Sequence, residues 1–319
     1  MLAMDQNRPG NCFASMIAPL RGMAVKGAVF HQGYNNCFNG STGAVMYRQV
    51  FPQMITAWRD AFGDPDLPFG ILLLCTEGQK QTLDNYSEMM ANPGPYIREA
   101  QYQTFLEFYR GGDQNIGFAS CYDLRRRWYH PQLKLPAGER LARWALATQY
   151  GISGLKWKPP MVENMEVSDG QIVLTLDEAA DAVDDGGPVV GFAIAGEDRQ
   201  FHPATAAHFV TGQDDRGRPR KDTRRLVLQS PMVPQPVHFR YAWARSPLGN
   251  LQVSRNTDVP FATQRSDNWP LEATPVLFGE QTPVKLDGRQ KRQQQEALRA
   301  LDQQRQAQAA QQLLESASE

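Results

Sequence analysis

The chain has 319 residues, 41% of them apolar and 10% aromatic, with 33 basic side chains against 34 acidic ones. This is enough for ordinary hydrophobic cores and suits two domains, and the near-zero net charge gives no footprint for nucleic acid or an anionic membrane surface. No apolar run approaches the ~18 residues of a membrane span, and MLAMDQNRPGNCF at the N-terminus is not a signal-peptide pattern.

In chain order, the first informative stretch is Gly22 to Asn36. A basic turn at Lys26-Gly27 leads into a short apolar strand, Ala28-Val29-Phe30, which breaks at once into the polar loop His31-Gln32-Gly33-Tyr34-Asn35-Asn36. An α/β enzyme presents polar groups in this way at the carboxyl edge of its sheet. Val45 to Phe62 then has apolar residues at helical spacing (Val50, Met54, Ile55, Trp58, Phe62) and stops at Gly63. Pro68 to Cys75 is a continuous apolar run of the kind a doubly covered strand shows. Helical periodicity returns from Tyr96 to Arg110, a third strand follows at Asn115 to Cys121, and Ala137 to Tyr150 is a strongly amphipathic helix ending at Gly151. Repeated strand–helix units predict an α/β domain over residues 1–155, a parallel sheet with helices on both faces.

The pattern changes after Lys156-Trp157-Lys158-Pro159-Pro160. Short strands at Gln171–Leu176, Val189–Ile194, Leu226–Gln229 and Val237–Trp243 alternate with Gly, Pro and Asp turns. They predict a β-sandwich domain over residues 160–272. Residues 285–319 are rich in Gln, Ala, Arg and Leu and read as a solvated helical or disordered tail. The four cysteines (Cys12, Cys37, Cys75, Cys121) have no CxxC spacing, so buried free thiols are expected rather than a zinc site or a disulfide framework.

Two clusters in the first domain have the residue types for chemistry. In the loop after the first strand, Gly33 permits close backbone approach to a ligand and Asn36 offers a neutral donor for a developing oxyanion; an ordinary strand–helix turn with Asn as a cap explains the same residues. In the second cluster, His130-Pro131 follows the third strand and precedes a helix, where a general base belongs, and Asp123 at the strand end is seven residues away in sequence. A surface histidine in a polar loop is the alternative. Arg125, Arg126 and Arg127 either face solvent or pair with substrate carboxylates.

Several blocks in order resemble the sialate O-acetylesterase family of SGNH-type carbohydrate esterases. Ser15-Met16-Ile17-Ala18-Pro19-Leu20 is similar to the family's approach to the strand, and Gln32-Gly33-Tyr34-Asn35-Asn36 to its Gln-Gly-Glu-Ser-Asn loop. Ile97-Arg98-Glu99-Ala100-Gln101 is similar to its Leu-Arg-Glu-Ala-Gln helix. His130-Pro131 with Lys134 and Gly138-Glu139-Arg140-Leu141-Ala142 resembles its His-Pro block and following helix. Gly191–Asp198 and Arg240–Ala244 resemble its β-domain, so the likeness covers about residues 12–270. The resemblance implies a serine hydrolase that releases acetate from acetylated carbohydrates without metal or organic cofactor. It would give His130 as base, Asp123 as its acidic partner, and Gly33 and Asn36, with Gln32 beside them, as the oxyanion and substrate loop. Family members are commonly exported.

The chain departs from the family in three places. The family's Gly-Gln-Ser-Asn nucleophile block has no counterpart here, and Ser41 in NGSTG is not where it would stand. Tyr34 takes the position of the family's Glu, and no acid lies closer before His130 than Asp123. These departures predict an SGNH-like sheet that is N-terminally incomplete, with one strand edge exposed. They also predict a site that is inactive alone, or that is completed by an upstream segment or a partner carrying the nucleophile. A non-catalytic carbohydrate-binding or assembly module is the alternative.

Overall fold

Three apolar strands build the first sheet: β1 (Ala28–Phe30), β2 (Phe69–Leu72) and β3 (Ile116–Ala119). They run parallel in the order β1-β2-β3, with Ala28 opposite Phe69 and Phe69 opposite Ile116. The computed structural model describes residues 8–90, 94–124, 133–183, 187–254 and 257–271, together with 288–289, 292–293, 296–297, 299–300 and 303. Four helices accompany the strands: α1 (Gly40–Phe62), the short α2 (Tyr86–Met89), α3 (Gly94–Arg110) and α4 (Lys134–Thr148). The helix expected from Val45 thus begins at Gly40, directly after a 3₁₀ turn over Asn35–Asn39.

Strand alternation sorts the two faces of the sheet. Phe30, Phe69 and Phe118 face α1 and α3, in ring contacts with Phe51 (Phe30 centroid 5.4 Å away) and with Phe105 (Phe118 centroid 5.2 Å away). Gly70 and Gly117, side by side on β2 and β3, face α4. The Trp144 ring fills the space where their side chains would be. A Cβ on Gly70 would lie 2.7 Å from Trp144 Cζ3, and one on Gly117 would be closer still. Helix α4 therefore seats on β2 and β3 through one indole. Its buried face is Ala137, Arg140, Leu141 and Trp144.

From Val162 onward the strands are antiparallel. One four-stranded sheet has the order β4 (Val162–Ser168), β5 (Gln171–Leu176), β10 (Pro219–Gln229), β9 (Ala206–Gln213). A second has the order β13 (Gln264–Arg265), β11 (His238–Tyr241), β7 (Phe192–Ala195), β8 (His202–Pro203), and β12 (Leu251–Val253) pairs with β6 (Ala180–Ala182). Strands β4 and β9 escaped the sequence reading because they are largely exposed and neither shows a clean alternation of apolar and polar residues. The described residues of the tail are helical, and most of 285–319 lies outside the described residues. Cys37, Cys75 and Cys121 are buried and free as expected; Cys12 is exposed, since it precedes the turn Phe13–Ile17, which buries no residue.

Buried polar groups on α3 tie the two halves together. The Arg98 side chain is fully buried and donates to the carbonyls of Ala244 and Arg245 and, at 3.2 Å, to Thr263 Oγ1. Next to it, Glu99 faces Arg265 at 3.8 Å, and Arg265 also pairs with Asp267, which holds Arg240. Burial pushes the Glu99 carboxyl above its ordinary range, and the Arg265 charge only partly offsets this.

Two predictions follow from this packing. Gly117→Ala drives a methyl into Trp144, and chemical denaturation is expected to show a loss of about 1–3 kcal/mol. Because the folded pKa of Glu99 is raised, its stability contribution is complete below its ordinary value of 4.5 and is lost as pH rises through the folded value. Urea midpoints measured against pH should therefore show Glu99→Gln gaining on the wild type as pH rises above that range; parallel curves would contradict the assignment.

Candidate functional site

The carboxyl ends of the three parallel strands open onto one edge, so the loops after β1, β2 and β3 are neighbours there. The first loop is clamped. His31 Nδ1 lies 3.3 Å from the carbonyl of Leu72, at the end of β2. Gln101 of α3 is fully buried; its Nε2 donates to the carbonyl of Gln32 (2.8 Å) and to Tyr47 Oη (3.1 Å), while its Oε1 accepts from the N–H of Leu74 (2.8 Å). One amide side chain thus fixes the loop after β1, the loop after β2 and helix α1 to one another.

Gly33 sits within this clamp at φ 132°, in the left-handed half of backbone space. A Cβ there would come 2.6 Å from Ile97 Cγ2, so a glycine is needed here for packing against α3, whatever else its amide does. The chain then turns: Asn36 N–H donates to the Gly33 carbonyl and Cys37 N–H to that of Tyr34. The side chain of Asn36 accepts from Gln32 Nε2 at 2.8 Å through Oδ1, which leaves its Nδ2 group to point a donor elsewhere. Asn36 does not cap a helix in this arrangement.

The loop after β3 begins with a buried ion-pair network. Arg140 from α4 meets Asp123 fork to fork, Nη1 to Oδ1 and Nη2 to Oδ2 both at 2.6 Å. The same guanidinium donates to the carbonyl of Ser120 at 2.8 Å and to Asp258 Oδ1 at 2.5 Å. Burial alone would lower the Arg140 pKa, but the hydrogen bonds and charges of Asp123 and then Asp258 outweigh it and hold the value above the usual arginine range. Asp258 takes a left-handed φ of 54° to reach this position. Alongside, Tyr122 Oη and Tyr241 Oη are 2.8 Å apart, and a cavity of about 160 Å³ is lined by Tyr122, Asp123, Val183, Asn250, Gln252 and Asp258.

Of the residues the sequence singled out, Gln32, Gly33 and Asn36 are together in one loop, and Asp123 stands at the end of β3. His130 and the arginines Arg125, Arg126 and Arg127 lie outside the described residues. Sequence reasoning missed Gln101 and Arg140 as organisers of these loops. Both lie on the buried faces of their helices, and a polar residue in an apolar stripe is the signal that finds them.

A serine–histidine contact does occur elsewhere, His238 Nδ1 to Ser266 Oγ at 3.2 Å. That hydroxyl already accepts from the N–H of Phe239 and lies against the Phe239 carbonyl, so it joins β11 to the residue after β13 rather than standing ready to attack. Ser41 Oγ and Thr76 Oγ1 are buried and lack a hydrogen-bond partner among the described residues. Behind the site, Cys75 and Cys121 have their sulfurs 3.3 Å apart, and burial pushes the Cys121 thiol pKa well up, which keeps it protonated and unreactive. Among the described residues no cluster of three or more His, Cys, Asp or Glu side chains suits a metal ion, and no helix is long and apolar enough to cross a membrane.

Gln101→Leu would orphan the Leu74 N–H and remove the bond holding Gln32. We expect a loss of about 2 kcal/mol or more and faster amide exchange in residues 31–37, with α4 unaffected. Equal exchange throughout would show that Gln101 does not hold the loop.

Comparison with known proteins extends the picture. No protein-family profile matches the chain. The mouse sialate O-acetylesterase is 31% identical over 179 residues, and the human one 30% over 174; each match covers 51% of this chain and 31% of the relative. The chain therefore spans about a third of the length of the curated relatives it matches. Among solved structures, a carbohydrate acetylesterase from Xanthomonas citri superposes with a TM-score of 0.63 at 31% identity, over 80% of this chain and 53% of that one.

Proposed function

This chain is a relative of the sialate O-acetylesterases, and from that premise we propose that it forms part of an SGNH-type site for O-acetyl groups on carbohydrates. The observation that carries the proposal is the clamped loop from Gln32 to Asn36. Its Asn36 Oδ1 is taken up by Gln32, and its Nδ2 is left to donate at the carboxyl edge of a parallel sheet. A donor fixed in this way is suited to the oxygen of an acetyl carbonyl as it gains negative charge.

In the mechanism a serine hydroxyl attacks the acetyl carbonyl while His130 takes its proton. The tetrahedral oxyanion rests on Asn36 Nδ2 and on the Gly33 amide. Collapse returns the proton through His130 to the departing sugar hydroxyl, and water then releases acetate by the same route. Asp123 would orient His130. Each of its oxygens keeps a second lone pair beyond the bond to Arg140, so the ion pair does not exhaust it. The β-rich half would act as the accompanying β-sandwich.

The attacking serine comes from a polypeptide segment or partner outside this sequence. Removing a triad serine costs on the order of 10⁶ in turnover in a well-studied protease, so the chain alone is expected to be nearly inactive. The commitment of both Asp123 oxygens to Arg140 also favours a second reading, a non-catalytic module that binds acetylated sugar.

A binding and hydrolysis experiment with O-acetylated and de-O-acetylated sialic acid separates these outcomes. We expect binding that requires the acetyl group and weakens roughly tenfold in Asn36→Ala, the equivalent of about 1.4 kcal/mol, with acetate release at background rate. Acetate release abolished by His130→Ala would instead show a complete site. Equal affinity for both sugars, or none, would overturn the proposal.

A further inference from the structure

Two thiols meet just past the ends of β2 and β3. The parallel pairing runs one step beyond β2, with Leu73 N–H donating to the Ala119 carbonyl at 3.0 Å. Cys75 stands two residues after Leu73, and Cys121 two after Ala119. Their side chains turn towards each other, Sγ to Sγ at 3.3 Å, and both residues are buried (1% and 0% exposed). The other cysteines have different neighbours: Cys37 Sγ lies 3.5 Å from the Gly33 carbonyl, and Cys12 is exposed.

The backbone holds the two thiols in place without help from the sulfurs. Leu74, next to Cys75, gives its N–H to Gln101 Oε1 at 2.8 Å. Ser120, next to Cys121, accepts from Arg140 Nη1 through its carbonyl, also at 2.8 Å. Neighbouring strands lie about 4.8 Å apart, within the Cα separations of about 4.4–6.8 Å that a disulfide spans. The sulfurs therefore reach bonding distance by side-chain rotation, with the strands where they are. The interaction given up is a weak one, the donation from Cys121 Sγ to the Leu73 carbonyl.

We propose that Cys75 and Cys121 are a disulfide-forming pair, joined when the chain folds in an oxidising compartment and reduced when it folds in a reducing one. The oxidant is itself a disulfide. One cysteine thiolate attacks a sulfur of the oxidant, which forms a mixed disulfide and expels one thiolate. The second cysteine thiolate then attacks the protein-bound sulfur, which forms the Sγ–Sγ bond and expels the other. Two protein thiols are oxidised, one disulfide is reduced to two thiols, and the cysteine protons pass to the leaving thiolates. The exchange takes place before the strands close, because in the folded chain both residues are buried and desolvation keeps Cys121 protonated. The same burial afterwards shields the bond from reductants. The link ties the loop held by Gln101 to the strand end that carries Asp123, and it constrains the unfolded chain across a separation of 46 residues. It does not depend on the esterase reading.

The test compares the full chain exported to an oxidising bacterial periplasm with the same chain made in the reducing cytoplasm. Each is unfolded in urea with iodoacetamide and digested without reductant for peptide mass mapping. We expect a Cys75–Cys121 linked peptide from the periplasmic protein, with label on Cys12 and Cys37 alone, and label on all four cysteines of the cytoplasmic protein. Cytoplasmic protein unfolded in urea and refolded with oxidised glutathione should acquire the same link. Dithiothreitol should open it only after urea is added, and the linked form should melt roughly 5–10 °C higher than the reduced one. Cys75→Ala should abolish both the link and the shift, and Cys37→Ala should leave both. Folded protein from either oxidising route with Cys75 and Cys121 labelled, or with either joined to Cys12 or Cys37, would overturn the proposal. So would a linked form that melts no higher than the reduced one.

Discussion

Helix α3 carries the buried polar contacts on which the rest of the molecule depends. Arg98, Glu99 and Gln101 are buried in succession, and each serves a different neighbour. Arg98 satisfies two backbone carbonyls near the end of β11, Glu99 meets the Arg265–Asp267 pair, and Gln101 joins the loops after β1 and β2. Buried polar groups of this kind are costly when unpaired and specify geometry when paired. Their effect is that the position of the Gln32–Asn36 loop relative to the sheet, and of the sheet relative to the antiparallel half, is set by one rigid helix.

At the other end of the sheet edge the organising group is Arg140. A buried guanidinium shared by two carboxylates and a backbone carbonyl is a structural brace first. It joins α4, the end of β3 and the segment around Asp258, so the 160 Å³ cavity beside Asp123 has walls from both halves of the chain. Any chemistry assigned to Asp123 therefore takes place on a carboxylate whose position is already fixed from behind.

Much of this was legible in the sequence where apolar patterning is strong. The runs Ala28–Phe30, Pro68–Cys75 and Asn115–Cys121 located the parallel strands, and the periodicities of 45–62, 96–110 and 137–150 located their helices to within a few residues. The position of the polar loop His31–Asn36 was legible because the apolar strand before it breaks abruptly into polar residues. Its clamp by Gln101, and the bracing of Asp123 by Arg140, were not found, since both act through long-range side-chain bonds and are marked in the sequence only as polar residues within apolar helix stripes. Strands β4 and β9 were missed for a related reason: exposed on most of their length, they are held by ladder hydrogen bonds that any sequence can make.

The seat of Trp144 has a consequence for the shape of the flank beside β1. The indole occupies a notch that exists only because β2 and β3 each place a glycine at the same height. The next strand has Val29 at that height, paired with Gly70, and Val29 offers no such recess. Helix α4 is therefore pegged sideways and cannot slide across the sheet to cover β1, because its tryptophan would have to climb out of one strand pair and collide with the next. The groove of about 350 Å³ beside β1, between Val29, Leu72, Leu141 and Trp144, is a standing gap in the architecture. Among the described residues, repacking of α4 cannot close it.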